Sequence, residues 1–250
     1  MRSMPASIRP HLAPILGLFL VVLVVLLPSL LDGGAIGHPV SDMADHYWGN
    51  WFFGSEFLQG HWPDHTSISH QPEGGSIWIT DPIGSLLMLF LRPLGFPMAW
   101  NIGLSFQLFG AAAAGYWLGW TQLNNKRSAF LVGLCCSCSP FAIGLLHSGL
   151  SEYAGLMWAP LFLGCLLQAY SGQRHPIWAA LCLVLCTLQA FYYGAFGLLL
   201  AVCFIAGKQA LQRARIFLQI VLIWAVAAIP MLLVAQNSLQ ADDALITRQN

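Results

Sequence analysis

The chain has 250 residues, 57% of them hydrophobic and only 8% charged, and its formal net charge is zero. A soluble domain is about a quarter charged, so a water-soluble fold is excluded and the chain reads as a polytopic membrane protein. No basic patch with interleaved aromatics stands on a soluble face, which argues against nucleic acid as a partner.

Residues 1–11 are short and basic, with Arg2 and Arg9. Residues 12–31 form a first span. The apolar run is too long for a signal peptide and no clean small-x-small cleavage site follows, so it reads as an uncleaved signal-anchor. Its flanking arginines place the N-terminus in the cytoplasm.

Residues 32–81 are the polar part of the chain. They hold seven of the ten acidic residues and five of the eight histidines. The first span's orientation puts this loop outside. Within it, Met43 to Gln59 has the pattern of an amphipathic helix lying in the membrane interface. Tyr47, Trp51, Phe52, Phe53 and Phe57 can face lipid, and Asp45, Asn50 and Glu56 water. Gly60, Pro63, Pro72, Gly74 and Gly75 then turn the chain.

Residues 82–95 are apolar but too short to cross, since a crossing needs about 20 residues. They read as a juxtamembrane or re-entrant helix on the outer side. Residues 97–235 supply the remaining spans. Residues 97–120 run inward, 128–146 outward and 154–171 inward. NNKR (124–127) and SGQRHP (171–176) are cytoplasmic, and HSGLSEY (147–153) is external.

Residues 177–207 are read as a tight hairpin, because a single helix would put Lys208, Arg213 and Arg215 outside, against the charge rule. Its tip, Gln189 to Gly194, would lie recessed as the floor of an external cavity. Residues 216–235 cross outward, and 236–250 form an external polar tail. The fold class is therefore an all-α transmembrane bundle of about seven spans. That topology puts every acidic residue outside and eight of the ten basic residues inside, Arg92 and Arg248 excepted.

Several residue types carry chemistry. Asp42 and Asp45, one helical turn apart, can accept a proton or bind a metal. Ser41 or Asp42 can equally cap the helix. His38, His46, His61, His65 and His70 match no standard ligand spacing and read as solvated. Glu152, beside His147, is a candidate partner for Asp42. Gln189, Tyr192 and Tyr193 sit at the hairpin tip. Arg92, a lone cation in apolar surroundings, either pairs with phosphate or snorkels to headgroups. The seven cysteines lie in apolar segments, so no disulfide framework is indicated. Walker, Rossmann and HExxH motifs are missing.

A series of short motifs resembles a known family. The loop carries D-x-x-x-H-x-W (Asp42, His46, Trp48). Its helix ends at Leu58, Gly60 and Pro63, one residue off the common L-x-x-G-x-x-P. A Q-P-x-G turn follows at Gln71 to Gly74. Further on come W-N (Trp100, Asn101), S-P-F (Ser139 to Phe141), H-x-x-L (His147, Leu150), W-x-P-L (Trp158 to Leu161) and L-Q-x-x-Y-Y-G (Leu188 to Gly194). In order and topology they resemble the GT-C class of integral membrane glycosyltransferases. That class includes protein mannosyltransferases, aminoarabinose transferases and oligosaccharyltransferases.

The resemblance implies transfer of a sugar from a polyprenyl-phosphate donor at the outer face of the inner membrane, with inversion. It implies a first-loop general base at Asp42, with Asp45 the alternative. Glu152 takes the second-loop acidic position. His46, Arg92, His147, Gln189, Tyr192 and Tyr193 are the substrate-binding candidates. Membrane lipids and the lipid-linked donor are the expected partners. No cofactor is fixed, and either Arg92 or a divalent metal would offset the departing phosphate. Members of the class continue past the seventh span, so the chain reads as a shortened member or a fragment.

Overall fold

The computed structural model describes residues 9–31, 33–38, 40–63, 65–66, 75–76, 81–154, 156–207 and 209–248. It describes the side chains of all of these except Arg9, residues 65–66, 75–76, 154, 231–232 and 234–248. Arg2, Lys208, His70 and the Q-P-x-G turn lie outside the described residues.

The described chain is all-helical apart from one two-residue antiparallel pairing. Its helices are α1 (Arg9–Leu31), α2 (Met43–Leu58), α3 (Pro82–Leu91), α4 (Phe96–Leu123), α5 (Lys126–Cys138), α6 (Pro140–His147), α7 (Ser151–Ala154), α8 (Trp158–Tyr170), α9 (Ile177–Gln189), α10 (Phe191–Cys203) and α11 (Ala210–Arg248). Strands β1 (His65–Thr66) and β2 (Gly75–Ser76) pair with His65 opposite Ser76. Four stretches are long and apolar enough to cross a membrane: Pro10–Leu31, Lys126–His147, Ser151–Tyr170 and Ala210–Pro230. Pro82–Leu94, Ile177–Gln189 and Phe191–Cys203 are apolar but shorter.

Local chemistry sets the boundaries. Asn125 caps α5 by accepting from the amides of Arg127 and Ser128. Ser139 accepts from the Ala142 amide and Pro140 opens α6, which breaks the 126–147 run. Proline is tolerated there because a first-turn amide has no helical partner.

Helix α4 is the centre of the bundle. It packs antiparallel to α1: His11 sits edge-on to Trp120 at one end, and Asn101 binds the chain just past α1 at the other. Against α5 the backbones come close. A methyl group at Gly119 would meet the Ala129 Cα, and one at Gly133 the Ala112 carbonyl. Small residues at such a seam allow close helix contact, the main source of association where lipid replaces water. One apolar core joins α1, α4 and α5 around Leu18, Leu26, Trp100 and Leu104. A second joins α8, α9, α10 and α11 around Phe162, Leu166, Leu183 and Ile220.

One expectation needs correction. Helix α2 forms, but its faces differ from the amphipathic reading. Phe52 and Phe53 are buried and so is Asn50, while Trp51 and Phe57 stay exposed. Asn50 turns inward because its partners are inside: it bonds the His46 carbonyl and the hydroxyls of Ser85 and Ser151. Within the 236–250 tail, the described backbone of α11 stays helical to Arg248, as a run rich in Ala, Leu and Gln without Gly or Pro after Pro230 allows.

Helix α3 runs antiparallel to α4, with Gly84 beside Gln107 and Met88 beside Gly103. It therefore rises back toward the start of α4. Asp81, at its base, lies level with Gln107. That is eleven residues, or about 16 Å, into α4.

The predicted hairpin also forms. A methyl group at Gly194 would strike Thr187, and one at Gly197 would strike Leu183. That pairing makes α9 and α10 antiparallel.

Candidate functional site

Among the described side chains, seven of the ten buried polar residues gather near the base of α3. Asp81, Gln107, Gln189, Glu152, Ser151, Asn50 and Ser85 are all buried. They come from five separate parts of the chain.

Asp81 is the centre. Its side chain caps α3, with Oδ1 accepting from the Gly84 amide at 2.9 Å. Oδ2 accepts from Gln107 Nε2 at 3.3 Å. Its own amide donates to the Gln189 carbonyl at 3.0 Å, tying the hairpin tip to α3. Gly84 is required at this point, because a side chain there would overlap Asp81 Oδ2 and Gln107 Nε2. Burial pushes the Asp81 carboxyl up to about 7, and the charge of Glu152 adds to the shift. The bonds from Gly84 and Gln107 and the proximity of His46 act the other way.

Glu152 is the second carboxylate. His46 Nδ1 lies 2.9 Å from its Oε2. The approach is close but off the direction of an aligned hydrogen bond, so it is an ion-pair contact when the ring is protonated. Tyr192 donates to Glu152 Oε1 at 3.3 Å, and Gln189 Nε2 donates to the Glu152 carbonyl at 2.9 Å. Gln189 Nε2 also stands 3.4 Å from Gln107 Oε1. The two amides thus link the Asp81 carboxyl group to the main chain at Glu152. Tyr193 packs edge-on against Tyr153 and Tyr192.

The structure therefore gathers four of the predicted residues, His46, Glu152, Gln189 and Tyr192, with Tyr193 beside them. Asp42 and Asp45 are exposed at the start of α2. Asp42 makes no capping bond with its side chain. Glu152 pairs with His46 and not with Asp42 or His147, because α7 turns its carboxylate into the bundle while His147 is exposed at the end of α6. Arg92 lines a separate groove of about 400 Å³ with Trp51, Ser55, Glu56 and Gln59.

Sequence reasoning missed Asp81, Gln107, Asn50, Ser85 and Ser151 as site residues. Asp81 carried one signal. An Asp-Pro pair opening an apolar helix too short to cross points to a carboxylate drawn inside the bundle.

The W-N motif proves architectural. Asn101 donates to the Gly34 carbonyl and accepts from the Ile36 amide, and Trp100 donates to the Ile36 carbonyl. Together they fasten the start of the first loop. Ser41 donates to the Ser148 carbonyl, docking the loop on the turn after α6.

Among the described residues no three His, Cys, Asp or Glu side chains converge to hold a metal ion. No family model, curated protein or solved structure matches the chain.

Proposed function

We propose that the chain is a membrane glycosyltransferase. It takes a sugar from a polyprenyl-phosphate donor and passes it to an acceptor at the external face of the inner membrane. In this reading the N-terminus is cytoplasmic and there are seven membrane segments: α1, α4, α5–α6, α7–α8, the short arms α9 and α10 of a hairpin whose tip is recessed, and α11.

The observation that carries the reading is Asp81, a fully buried carboxyl group held by Gln107 and by the tie of its amide to Gln189, and pushed up to about 7 by burial. A general base works best with a pKa near the working pH. Once ionised, Asp81 takes the proton of an acceptor hydroxyl. The hydroxyl oxygen bonds to the anomeric carbon as the bond from that carbon to the phosphate oxygen breaks, and polyprenyl phosphate leaves. Attack from the side opposite the phosphate inverts the centre.

Asp81 replaces Asp42 as the favoured base, because an exposed carboxylate keeps its water and gains nothing from the bundle. Arg92 stands eleven residues along α3 from Asp81, about 16 Å, too far to touch a group held against it. His46, when protonated, is the cation of the cluster. No step is assigned to a divalent metal.

A carrier of lipid-linked precursors would need a polar path across the bundle. Beneath the cluster, Phe162, Leu166, Leu183 and Cys186 fill the space between α8 and α9 with apolar side chains. A polar cluster closed beneath by apolar packing supports an enzyme over a carrier.

The test is release of polyprenyl phosphate from a polyprenyl-phosphate sugar in proteoliposomes. Asp81→Asn is expected to slow it by about 100-fold or more, and Asp42→Asn by far less. The reverse order would return the role of base to Asp42. A wild-type protein that turns over no such donor would end the transferase reading.

A further inference from the structure

Between α3, α4 and α8 lies a groove of about 230 Å³. Ile83, Leu87, Phe106, Met157 and Trp158 form its walls, and Asp81, Gln107 and Gln189 form its head. We propose that this groove takes the tail of a lipid whose head is an uncharged hydroxyl, and that this lipid alcohol is the acceptor. The proposal rests on the transferase reading for the word acceptor, and on the groove alone for binding.

Three observations argue for this occupant. First, the groove is reached from the flank of the bundle. Phe106, on its wall, is 53% exposed, and Phe90 and Met98 on α3 and α4 are exposed as well. A ligand arriving from the bilayer meets apolar side chains first and polar atoms only at the head.

Second, the head lacks the charge that a phosphate needs. No basic side chain lines the groove. Asp81 stands at its head, and no cation in the lining is placed to pair with a phosphate. A phosphate there would lose its water without gaining a cationic partner. The head therefore favours an uncharged hydroxyl over the phosphate of the donor.

Third, the head suits one hydroxyl. Asp81 Oδ2 can accept its proton, and the amide groups of Gln107 and Gln189 offer donors to its oxygen. Gln107 holds Asp81 at 3.3 Å, and Gln189 is anchored on the Glu152 carbonyl at 2.9 Å while its contact with Gln107 is a longer 3.4 Å, so these two longer contacts can be shared with a ligand. The absent side chain at Gly84 keeps Asp81 and Gln107 in place at the mouth of the head.

The experiment uses the full chain in proteoliposomes with two photoreactive diazirine probes of equal chain length. One ends in a hydroxyl and the other in a phosphate. The alcohol is expected to label the peptides holding Leu87, Phe106 and Trp158, with the phosphate roughly tenfold weaker there. Leu87→Trp, which fills the groove, is expected to remove that labelling while melting stays within a few degrees of wild type. Equal or stronger labelling by the phosphate would overturn the proposal, as would alcohol labelling that Leu87→Trp leaves unchanged in a protein that melts normally.

Sugar transfer to the alcohol is scored in parallel. Groove labelling without transfer removes the transferase reading and leaves the lipid site. Transfer without groove labelling does the opposite.

Discussion

Asp81 bears two burdens at once. Its backbone is left-handed, with φ 58° and ψ 54°, a conformation that costs a non-glycine residue on the order of 1 kcal/mol or more. Its carboxyl group is also fully buried. The fold compensates with the Gly84 and Gln107 bonds and with the tie from its amide to Gln189.

The buried acid makes stability depend on pH in a fixed direction. The folded carboxyl titrates near 7 and the unfolded one near 3.8. Between those values the folded state binds more protons, so the contribution of Asp81 is full below about pH 4 and is lost as pH rises through about 7. Wild type should therefore lose about 1–4 kcal/mol relative to Asp81→Asn between pH 4 and 7.5. Thermal melts of both proteins in detergent across that range measure the difference. Parallel curves would mean that Asp81 is not buried as a neutral acid.

At the level of elements, the hairpin of α9 and α10 is the part whose precision matters most to the site. Its tip supplies Gln189 and Tyr192, and its arms touch at Gly194 and Thr187. Gly194→Leu should force the arms apart at a cost of about 1–3 kcal/mol. Withdrawing Gln189 from Asp81 should also lower donor turnover. Gly144 has open space around its Cα position, so Gly144→Leu should leave both melting and turnover near wild type. A Gly194→Leu protein with unchanged melting would show that the arms are not in contact.

Much of this element pattern was readable from the chain. Run length, proline and cap residues located α2, α3, α4 and the hairpin within a few residues, because those signals are local. The inward face of α2 was not readable. Asn50 looks solvent-facing until Ser85 and Ser151, 35 and 101 positions away, are brought beside it. The site divides the same way. His46, Glu152, Gln189 and Tyr192 lie in polar or tip segments and draw notice. Asp81 reads locally as a helix cap, which it also is, and Gln107 reads as a stray amide in a span.

At the scale of the molecule, the alternating helix directions gather charge at two ends. Lys126, Arg127, Arg174, Arg213 and Arg215 lie at one end. Asp42, Asp45, Glu56, Asp81 and Glu152 lie at or toward the other. Among the described side chains, Arg92 is the one lysine or arginine at the acidic end. Basic residues are retained on the cytoplasmic side, so the basic end should face the cytoplasm and the cluster should open outward. An external transferase needs this orientation, since its donor is anchored in lipid and enters from the membrane.

Asp42 and Lys126 are both exposed and lie at opposite ends. With Asp42→Cys and Lys126→Cys, a membrane-impermeant maleimide applied to intact cells should modify position 42 and reach position 126 only after permeabilisation. The native cysteines lie in apolar segments, so the wild-type chain sets the background. Labelling of both positions from outside would break the bundle's polarity. Labelling of 126 alone would keep the fold but turn the site to the cytoplasm, where soluble nucleotide sugars could serve as donors and a lipid-linked one would no longer be required.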